Sequence, residues 1–562
     1  MPTAFRSRTA ARQAPVGIEA TLRVLLHCQD ESSDAVLAVA AASSDPALRI
    51  GAVRTILRRH SLAAHANLVR GWNRLAEDAL AVLLAEAPRA SFASSLQRFL
   101  GGSEGQLAEA SAKLAAQALV VEALPALITR VLTGRSAKNE PLAVLALSRE
   151  LRRRLDNPPT RKEGLADPAF ARRAALNELA LALTQFHQHG QADLIDALLE
   201  ITPADDPLFL QTLTDPERGG HAALIERLRA ATGTGVVALY AALLDNTATP
   251  TVALEAIASR ADLATLDPLL ARFSKRLGMR VSTNVKRLKD FEWLANERRP
   301  ELLTLSDQAV AGAIRLMGAS EVSRRRLVTL LEQVLLSVHD PRVAAGFILG
   351  DAARLAAAEV IGALPPHLAN TPLALAARDP SPAVVTAAAN LIGKKQLPND
   401  NPILVEMLSH PAVEVRRAAQ RSMKGITYSW LRDEAAEMDF EEQRRTGSLV
   451  AKADPLAQEQ LRSELGAPGS KRRLKAIEMA EILGLVDEVV DDLMARLNDP
   501  DAAVRAEAAR CLGTSAGEPR VQQALAELHR DPAVGVRRAA EQSYAMITGR
   551  HERALLPAGR PR

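Results

Sequence analysis

Seven basic side chains stand close together in the middle of the chain, between residues 272 and 289, where the sequence contains no Asp or Glu. They are Arg272, Lys275, Arg276, Arg280, Lys286, Arg287 and Lys289. Cations at this density are suited to bind the phosphates of a nucleic acid, the carboxylates of an acidic protein segment or an anionic membrane surface. The opposing interpretation is that they only solvate exposed helix faces.

The charge of the whole chain favours that opposing interpretation over a dedicated nucleic-acid binder. The 562 residues include 70 Lys and Arg against 66 Asp and Glu, a formal net charge of +4. Such a small excess does not create the strong positive field of a polyanion-binding protein. Aromatic residues make up only 3% of the chain, which leaves few rings for stacking on bases. Nucleic acid is therefore the alternative partner, and a protein is the predicted one.

Residue patterns typical of catalysis are missing from the sequence. Gly233 and Gly235 form a Gly-x-Gly without the third glycine of a dinucleotide-binding loop, so we expect no phosphate cradle there. His187 and His189 are two residues apart, a spacing that places them on different sides of a helix and disfavours a shared metal ion. We therefore predict no catalytic residue, no cofactor, no metal site and no enzyme activity.

The cysteines and the apolar segments indicate a cytoplasmic protein. The chain has two cysteines, Cys28 and Cys511, far apart and in no Cys-x-x-Cys pair, as is usual in a reducing compartment. No apolar run is long enough to predict a transmembrane segment. We predict a disordered basic tail at residues 1–17 and a second tail at 550–562. The sequence predicts no particular oligomeric state.

The elements that position these residues are predicted to be helices. Segments such as 75–87 and 487–497 place apolar residues three and four apart, and we find no sustained alternation of apolar and polar residues. Ala, Leu, Arg, Val and Glu prevail in the chain, and most of these types form helices readily. The fold class predicted by this pattern is all-α.

Four segments of the C-terminal half share one pattern. Each begins with Asp-Pro or His-Pro, at residues 379, 410, 499 and 531, and has valine, alanine and a large apolar residue five, nine and thirteen positions later. Steps of four residues place these positions on one face of a helix. The sets are Val384, Ala388 and Ile392; Val415, Ala419 and Met423; Val504, Ala508 and Leu512; and Val536, Ala540 and Tyr544.

The repeated pattern predicts pairs of helices that stack on one another. Aspartate before proline is typical of a helix start, with aspartate as the N-cap and proline at the first helical position. Another amphipathic helix precedes each start, for example at residues 485–498. One pair of helices is too small to bury its apolar faces alone, whereas a row of pairs buries them against each other.

At these residues the sequence resembles HEAT repeats, and in particular the short bacterial HEAT-like type. The resemblance implies an α-solenoid of stacked antiparallel helix pairs, in which a turn aspartate and an arginine six residues later form a ladder between neighbouring repeats. The matching pairs are Asp499 with Arg505 and Asp531 with Arg537. Arg416 follows His410 instead of an aspartate, and Val385 replaces the arginine after Asp379.

This interpretation gives the chain two main parts. Degenerate HEAT-like repeats are predicted at residues 18–330, and clearer repeats at 331–549 with an irregular insertion near 428–470. We predict that the chain is a non-enzymatic scaffold or adaptor that binds protein partners along an extended surface. One alternative is a nucleic-acid-binding solenoid that uses residues 272–289. A less favoured alternative is a lyase-type enzyme, because some HEAT-like proteins are lyases.

Overall fold

A computed structural model describes residues 16–28, 30–88, 90–158, 165, 167–288, 291, 299–321, 323–338, 349–394 and 402–555. Throughout these residues the chain forms helices joined by turns and short loops, with no β-strand, which confirms the all-α fold class. The chain divides into two compact units, Met1–Leu327 and Val328–Arg562. Each unit is a stack of helix pairs and is described by itself below.

The first unit contains twenty α-helices within the described residues. They are α1 (Val16–His27), α2 (Glu31–Ala41), α3 (Pro46–Arg58), α4 (Leu62–Gly71), α5 (Glu77–Glu86), α6 (Ala90–Gly101), α7 (Gly105–Gln117), α8 (Leu124–Leu132), α9 (Glu140–Asp156), α10 (Pro168–Thr184), α11 (Phe186–His189), α12 (Ala192–Ile201), α13 (Pro207–Thr214), α14 (His221–Ala230), α15 (Thr234–Asp245), α16 (Thr251–Ala258), α17 (Leu263–Ala271), α18 (Met279–Val285), α19 (Arg299–Leu302) and α20 (Asp307–Ala319). Helix α21 (Arg324–Leu336) spans the division.

The second unit continues the series with thirteen further α-helices in its described part. They are α22 (Asp351–Ile361), α23 (Pro366–Ala376), α24 (Pro382–Lys394), α25 (Pro402–Met407), α26 (Val413–Ser422), α27 (Tyr428–Glu434), α28 (Phe440–Ala453), α29 (Ala457–Leu465), α30 (Ser470–Leu483), α31 (Val490–Arg496), α32 (Ala502–Leu512), α33 (Pro519–Glu527) and α34 (Val534–Leu555).

Two layers of helices build the second unit. Helices α22, α24, α26, α28, α30, α32 and α34 form one layer, in which each packs against the next. The intervening helices pack against their own pair partners, as α31 does on α32 and α33 on α34. The first unit repeats the scheme less regularly, with α9, α12, α15 and α18 packed in succession. The predicted stacking of helix pairs is therefore present in both units.

The repeated apolar positions form the seams between these helices. Val504, Ala508 and Leu512 of α32 are fully buried, as are their counterparts in α24 and the first two counterparts in α26, Val415 and Ala419. Each buried leucine or valine contributes about 2 kcal/mol to folding. In α34 the pattern fails at its last position, because Tyr544 is 40% exposed while Ser543 is buried against Gly513. Helix α26 ends before the equivalent Met423, which folds inward, whereas α34 continues to Leu555.

The Asp-Pro starts behave differently in the two units. In α3 and α10 the aspartate is the N-cap, as predicted: Asp45 accepts from the amide of Ala47 and Asp167 from that of Ala169, both at 2.9 Å. In the clearer repeats this prediction is wrong. Helix α32 begins at Ala502 with Asp501 as its N-cap, two residues after Asp499. Asp499 belongs to the preceding turn, where it accepts from the amide of Asp501 at 3.0 Å.

Three segments singled out in the sequence are placed as follows. Residues 428–470, where the sequence indicates an insertion, hold α27, α28 and α29, and α28 packs on α30 of the next pair. Residues 1–15 of the predicted N-terminal tail lie outside the described residues, and α1 begins at Val16. Helix α34 extends through Leu555 and so includes the first six residues of the predicted C-terminal tail.

Candidate functional site

The basic stretch lies on the end of α17, the following turn and α18. Arg272 is the C-cap of α17, Lys275 and Arg276 are in the turn, Arg280 is in the first turn of α18 and Lys286 is its C-cap. All five side chains are exposed. Lys289 lies outside the described residues. The sequence-predicted cations that the structure describes thus share one short surface segment.

Buried contacts hold this segment on the neighbouring helices. Asn284, which is 1% exposed, donates hydrogen bonds to the backbone oxygens of Leu244 and Asn246, both at 2.9 Å. Val281 and Val285 on the same face of α18 are buried. These contacts fix α18 against the end of α15, so the cations are presented by a docked element.

Arg287 differs from the other cations because its guanidinium is engaged within the fold. Its Nη1 donates to the backbone oxygen of Thr249 at 2.8 Å, and its Nη2 donates to Oγ1 of Thr251 at 2.6 Å. Arg287 therefore joins α18 to the start of α16. Charge in the sequence did not distinguish it from its neighbours, since its partners lie 36 to 38 residues away.

The remaining five cations make no ion pair and no side-chain hydrogen bond within the described part of the chain. The aromatic side chains near them are not available for stacking, because Phe273 is 9% and Phe291 3% exposed. Met279 is the exposed apolar side chain of the segment, at 87%. This surface offers positive charge and one thioether, but no accessible ring among its described residues.

A second arrangement of charges runs through the turns of the second unit. Arg505 forms a two-point ion pair with Asp531 of the next helix pair, with Nε to Oδ2 at 2.8 Å and Nη2 to Oδ1 at 3.0 Å. Its Nη1 donates to the backbone oxygens of Asp499 at 2.8 Å and Pro500 at 3.4 Å, in its own turn. Arg505 thus connects its own turn to the turn of the next helix pair.

Arg473 and Arg354 make the same connection. Arg473 donates through Nη2 to Oδ1 of Asp499 at 2.8 Å, and its Nη1 donates to the backbone oxygens of Ala467 and Pro468. Arg354 donates to Asp379 at 2.9 Å and to the backbone oxygen of Leu349 at 2.6 Å. Neither arginine follows an Asp-Pro start, but Arg473 stands five residues after Pro468, the same spacing as Arg505 after Pro500.

The first unit contains an arginine of the same kind near its N-terminus. Arg49 donates through Nε and Nη2 to the two carboxylate oxygens of Asp78, both at 2.7 Å. Its Nη1 donates to the backbone oxygens of Ser43 and Ser44. The sequence interpretation missed this ladder contact because it looked for an arginine six residues after the aspartate of an Asp-Pro pair. Six residues before Arg49 stands Ser43 instead.

Two predicted ladder arginines bind only their own turns. Nη1 of Arg537 donates to the backbone oxygens of Asp531 at 2.6 Å and Pro532 at 3.1 Å. Nη1 of Arg416 donates to those of His410 and Pro411, both at 2.7 Å. Within the described residues neither has a carboxylate on its Nε and Nη2 edge.

The ladder contacts shift the pKa of their carboxyl groups. Burial alone would raise the pKa of Asp499, but the hydrogen bonds from Arg473 and from the amide of Asp501 outweigh it and leave the pKa below its usual range. The hydrogen bond from Arg505 lowers the pKa of Asp531. Both carboxylates are therefore ionised at neutral pH and hold the arginines in place.

The Gly-x-Gly sequence has a structural role at the start of α15. Oε2 of Glu200, whose side chain is fully buried, accepts a hydrogen bond from the amide of Gly235 at 2.8 Å. A Cβ on Gly233 would lie 1.5 Å from Oε1 of Glu200, and one on Gly235 would lie 2.1 Å from its backbone oxygen. The glycines make room for a carboxylate of the chain itself, which accepts a hydrogen bond at the start of α15.

Of the two histidines, His189 has a structural role, whereas His187 is exposed. Nε2 of His189 donates to the backbone oxygen of Ala182 at 2.8 Å, and its Nδ1 accepts from the amide of Gln191 at 2.9 Å. Both ring nitrogens are therefore used to turn the chain after α11. Among the described residues no group of three or more His, Cys, Asp or Glu side chains is arranged to hold a metal ion. No described helix is long and apolar enough to cross a membrane.

Residues 459–545, which run from within α29 through α30 to α33 and into α34, match the family model for HEAT repeats. This match confirms the resemblance on which the sequence interpretation depends, so the chain contains HEAT repeats. The sequence matches no curated protein.

Two solved structures align with most of the chain at low sequence identity and low TM-score. Kap121p bound to Ste12p is 14% identical, with a TM-score of 0.28, and the alignment covers 97% of this chain and 58% of that one. In the Kap95:Nup1 complex the matching chain is 12% identical, with a TM-score of 0.25, and the alignment covers 94% of this chain and 82% of that one. This chain thus spans 58% of the length of the Kap121p chain.

Proposed function

We propose that this protein is a non-enzymatic helical-repeat scaffold that binds a protein partner, and that an acidic segment of the partner docks on the turn between α17 and α18. One observation carries the proposal: five exposed cations stand together without a carboxylate partner in the described residues, whereas the ladder arginines Arg49, Arg473 and Arg505 are paired. Cations held this close repel one another, and incoming carboxylates relieve that repulsion.

The surroundings of these cations favour protein over nucleic acid as the partner. Phe273 and Phe291 are buried, so single-stranded bases find no described ring to stack on in this segment. The exposed side chain of Met279 lies among the cations and suits an apolar residue beside the acidic ones. We place the protein in the cytoplasm within this proposal, because Cys28 and Cys511 are both free thiols.

The experiment is a binding titration of the full chain with a fluorescein-labelled poly-aspartate peptide, followed by anisotropy. The variant Lys275→Glu with Arg276→Glu should weaken binding by about tenfold or more, because it replaces two attractive contacts with repulsive ones. The matched control is Lys138→Glu, a charge reversal of an exposed lysine on the turn before α9, which should leave binding unchanged.

A labelled single-stranded oligonucleotide serves as the competing probe in the same titration. If it binds more tightly than the peptide and loses affinity steeply with salt, the nucleic-acid alternative replaces the proposal. Equal peptide binding by the wild-type chain and the Lys275→Glu, Arg276→Glu variant also overturns it.

A further inference from the structure

The ladder of the second unit is interrupted at Arg416. Nη1 of Arg416 is bound to its own turn carbonyls as in Arg473 and Arg505. A guanidinium is planar and rigid, so this contact also fixes the orientation of its Nε and Nη2 edge. In Arg473 and Arg505 that edge binds the aspartate of the next helix pair. In Arg416 it has no carboxylate partner within the described residues.

The next helix pair explains the interruption. The segment between α27 and α28 carries no Asp-Pro turn, and its Asp439 serves as the N-cap of α28, with Oδ1 accepting from the amide of Glu442 at 2.8 Å. The buried Asp454 further along accepts from the amides of Tyr428 and Leu456, both at 2.9 Å. These two carboxylates therefore have local partners instead of Arg416.

Beside Arg416, α26 carries two further arginines and one acidic residue, Glu414 in its first turn. Arg417 and Arg421 are exposed on the same helix and make no ion pair in the described chain. The equivalent surface at α32 is neutralised, since Arg510 pairs with Glu481 and Glu507. Arg537 also lacks a carboxylate, but in α34 Gln542 replaces Arg421 and Glu541 stands one residue before it. Over the equivalent residues 413–422 and 534–543, α26 has three arginines against Glu414 and α34 has two against Glu541, so the larger positive excess is at α26.

We propose that α26 is a second binding site, in which a carboxylate of an acidic protein segment occupies the Nε and Nη2 edge of Arg416 and so completes the ladder. Arg417 and Arg421 bind further acidic residues of the same segment. The ligand has the chemistry that the fold already uses at Asp499 and Asp531, supplied from another chain. This site uses helices of the second unit and does not depend on the cations between α17 and α18.

The test uses the full chain with Lys275→Glu and Arg276→Glu as background, so that the first proposed site is disabled. Binding of the labelled poly-aspartate peptide is measured for Arg416→Gln, Arg416→Lys and Arg505→Gln in that background. Arg416→Gln should weaken binding by about tenfold. Arg416→Lys should recover only part of that loss, because an ammonium does not make the two-point contact.

Arg505→Gln is the matched control, since the edge of Arg505 is already occupied by Asp531. It should lower the thermal midpoint and leave peptide binding unchanged. Circular dichroism establishes that Arg416→Gln is folded. Equal binding by Arg416→Gln and Arg505→Gln overturns the proposal, as does equal binding of a poly-asparagine peptide of the same length or tighter binding of single-stranded DNA. Because the background lacks the first site, failure here is distinct from failure of the proposed function.

Discussion

Arg505 and Asp531 join two consecutive helix pairs of the second unit through two parallel hydrogen bonds of 2.8 and 3.0 Å. Their side chains are 14% and 6% exposed, so the contact is mostly screened from water. The same guanidinium holds two carbonyl oxygens of its own turn. One side chain therefore fixes the position of one turn relative to the next.

Loss of this contact should destabilise the second unit. We expect Arg505→Gln and Asp531→Asn each to lower the free energy of unfolding by about 1–3 kcal/mol, the cost of leaving a charged hydrogen-bond partner unpaired. The double variant should cost less than the sum of the two. Urea unfolding followed by circular dichroism measures all three, with Arg538→Gln, an exposed arginine without a side-chain partner in the described chain, as control. Strict additivity would contradict the contact.

The ladder should also make stability fall in acid. The folded-state pKa values of Asp499 and Asp531 lie below the ordinary value near 4. Their contribution is therefore fully present above pH 4 and is lost as the pH falls through the lower folded-state values, where the native carboxylates take up protons. Urea midpoints measured from pH 7 to about pH 3 should decline more steeply for the wild-type chain than for Asp499→Asn with Asp531→Asn. Parallel curves would exclude this origin of the acid sensitivity.

Gly235 should not tolerate a side chain. An alanine Cβ at this position would lie 2.1 Å from the backbone oxygen of Glu200, a buried residue of α12. We expect Gly235→Ala to lower the free energy of unfolding by about 1–3 kcal/mol. Gly105→Ala at the start of α7, where nothing lies within 4 Å, should be neutral or stabilising in the same measurement. Similar effects of both substitutions would contradict the close approach.

The two thiols should differ in reactivity. Burial raises the pKa of Cys511 to about 12, whereas Cys28 is partly exposed at the end of α1. A thiolate is the reactive form, so iodoacetamide should modify Cys28 in the native protein and both cysteines only after unfolding in urea. Mass spectrometry of the peptides identifies the modified residue. Cys28→Ser should abolish labelling of the native chain, and rapid labelling of Cys511 would show that α32 opens readily.

Periodicity was sufficient to predict the helices because burial of one face follows directly from spacing along the chain. Val504, Ala508 and Leu512 carry that signal themselves. The contacts of Arg473 and Arg49 were not predictable in the same way, since their carboxylates lie 26 and 29 residues away. A search for arginine five residues after proline would have found Arg473 but not Arg49.

In the basic stretch, too, the residue types were predictable from the sequence but the contacts were not. Its cations are recognisable from residue type alone. They lie on one surface segment because they are close together in the sequence. That Arg287 is engaged by Thr249 and Thr251 depends on how α18 packs against the start of α16. Likewise, that Ser543 instead of Tyr544 faces the seam depends on how α34 packs against α32.

The ladder joins only adjacent helix pairs, since Arg473 contacts Asp499 and Arg505 contacts Asp531 and neither reaches further. A fault in one turn is therefore confined to the two pairs that share it, and the remaining pairs keep their mutual register. Sequence drift in such a stack can proceed turn by turn. The helix pair that follows α26 lacks the turn aspartate that binds a ladder arginine. Later pairs of the same unit nevertheless retain their ladder contacts.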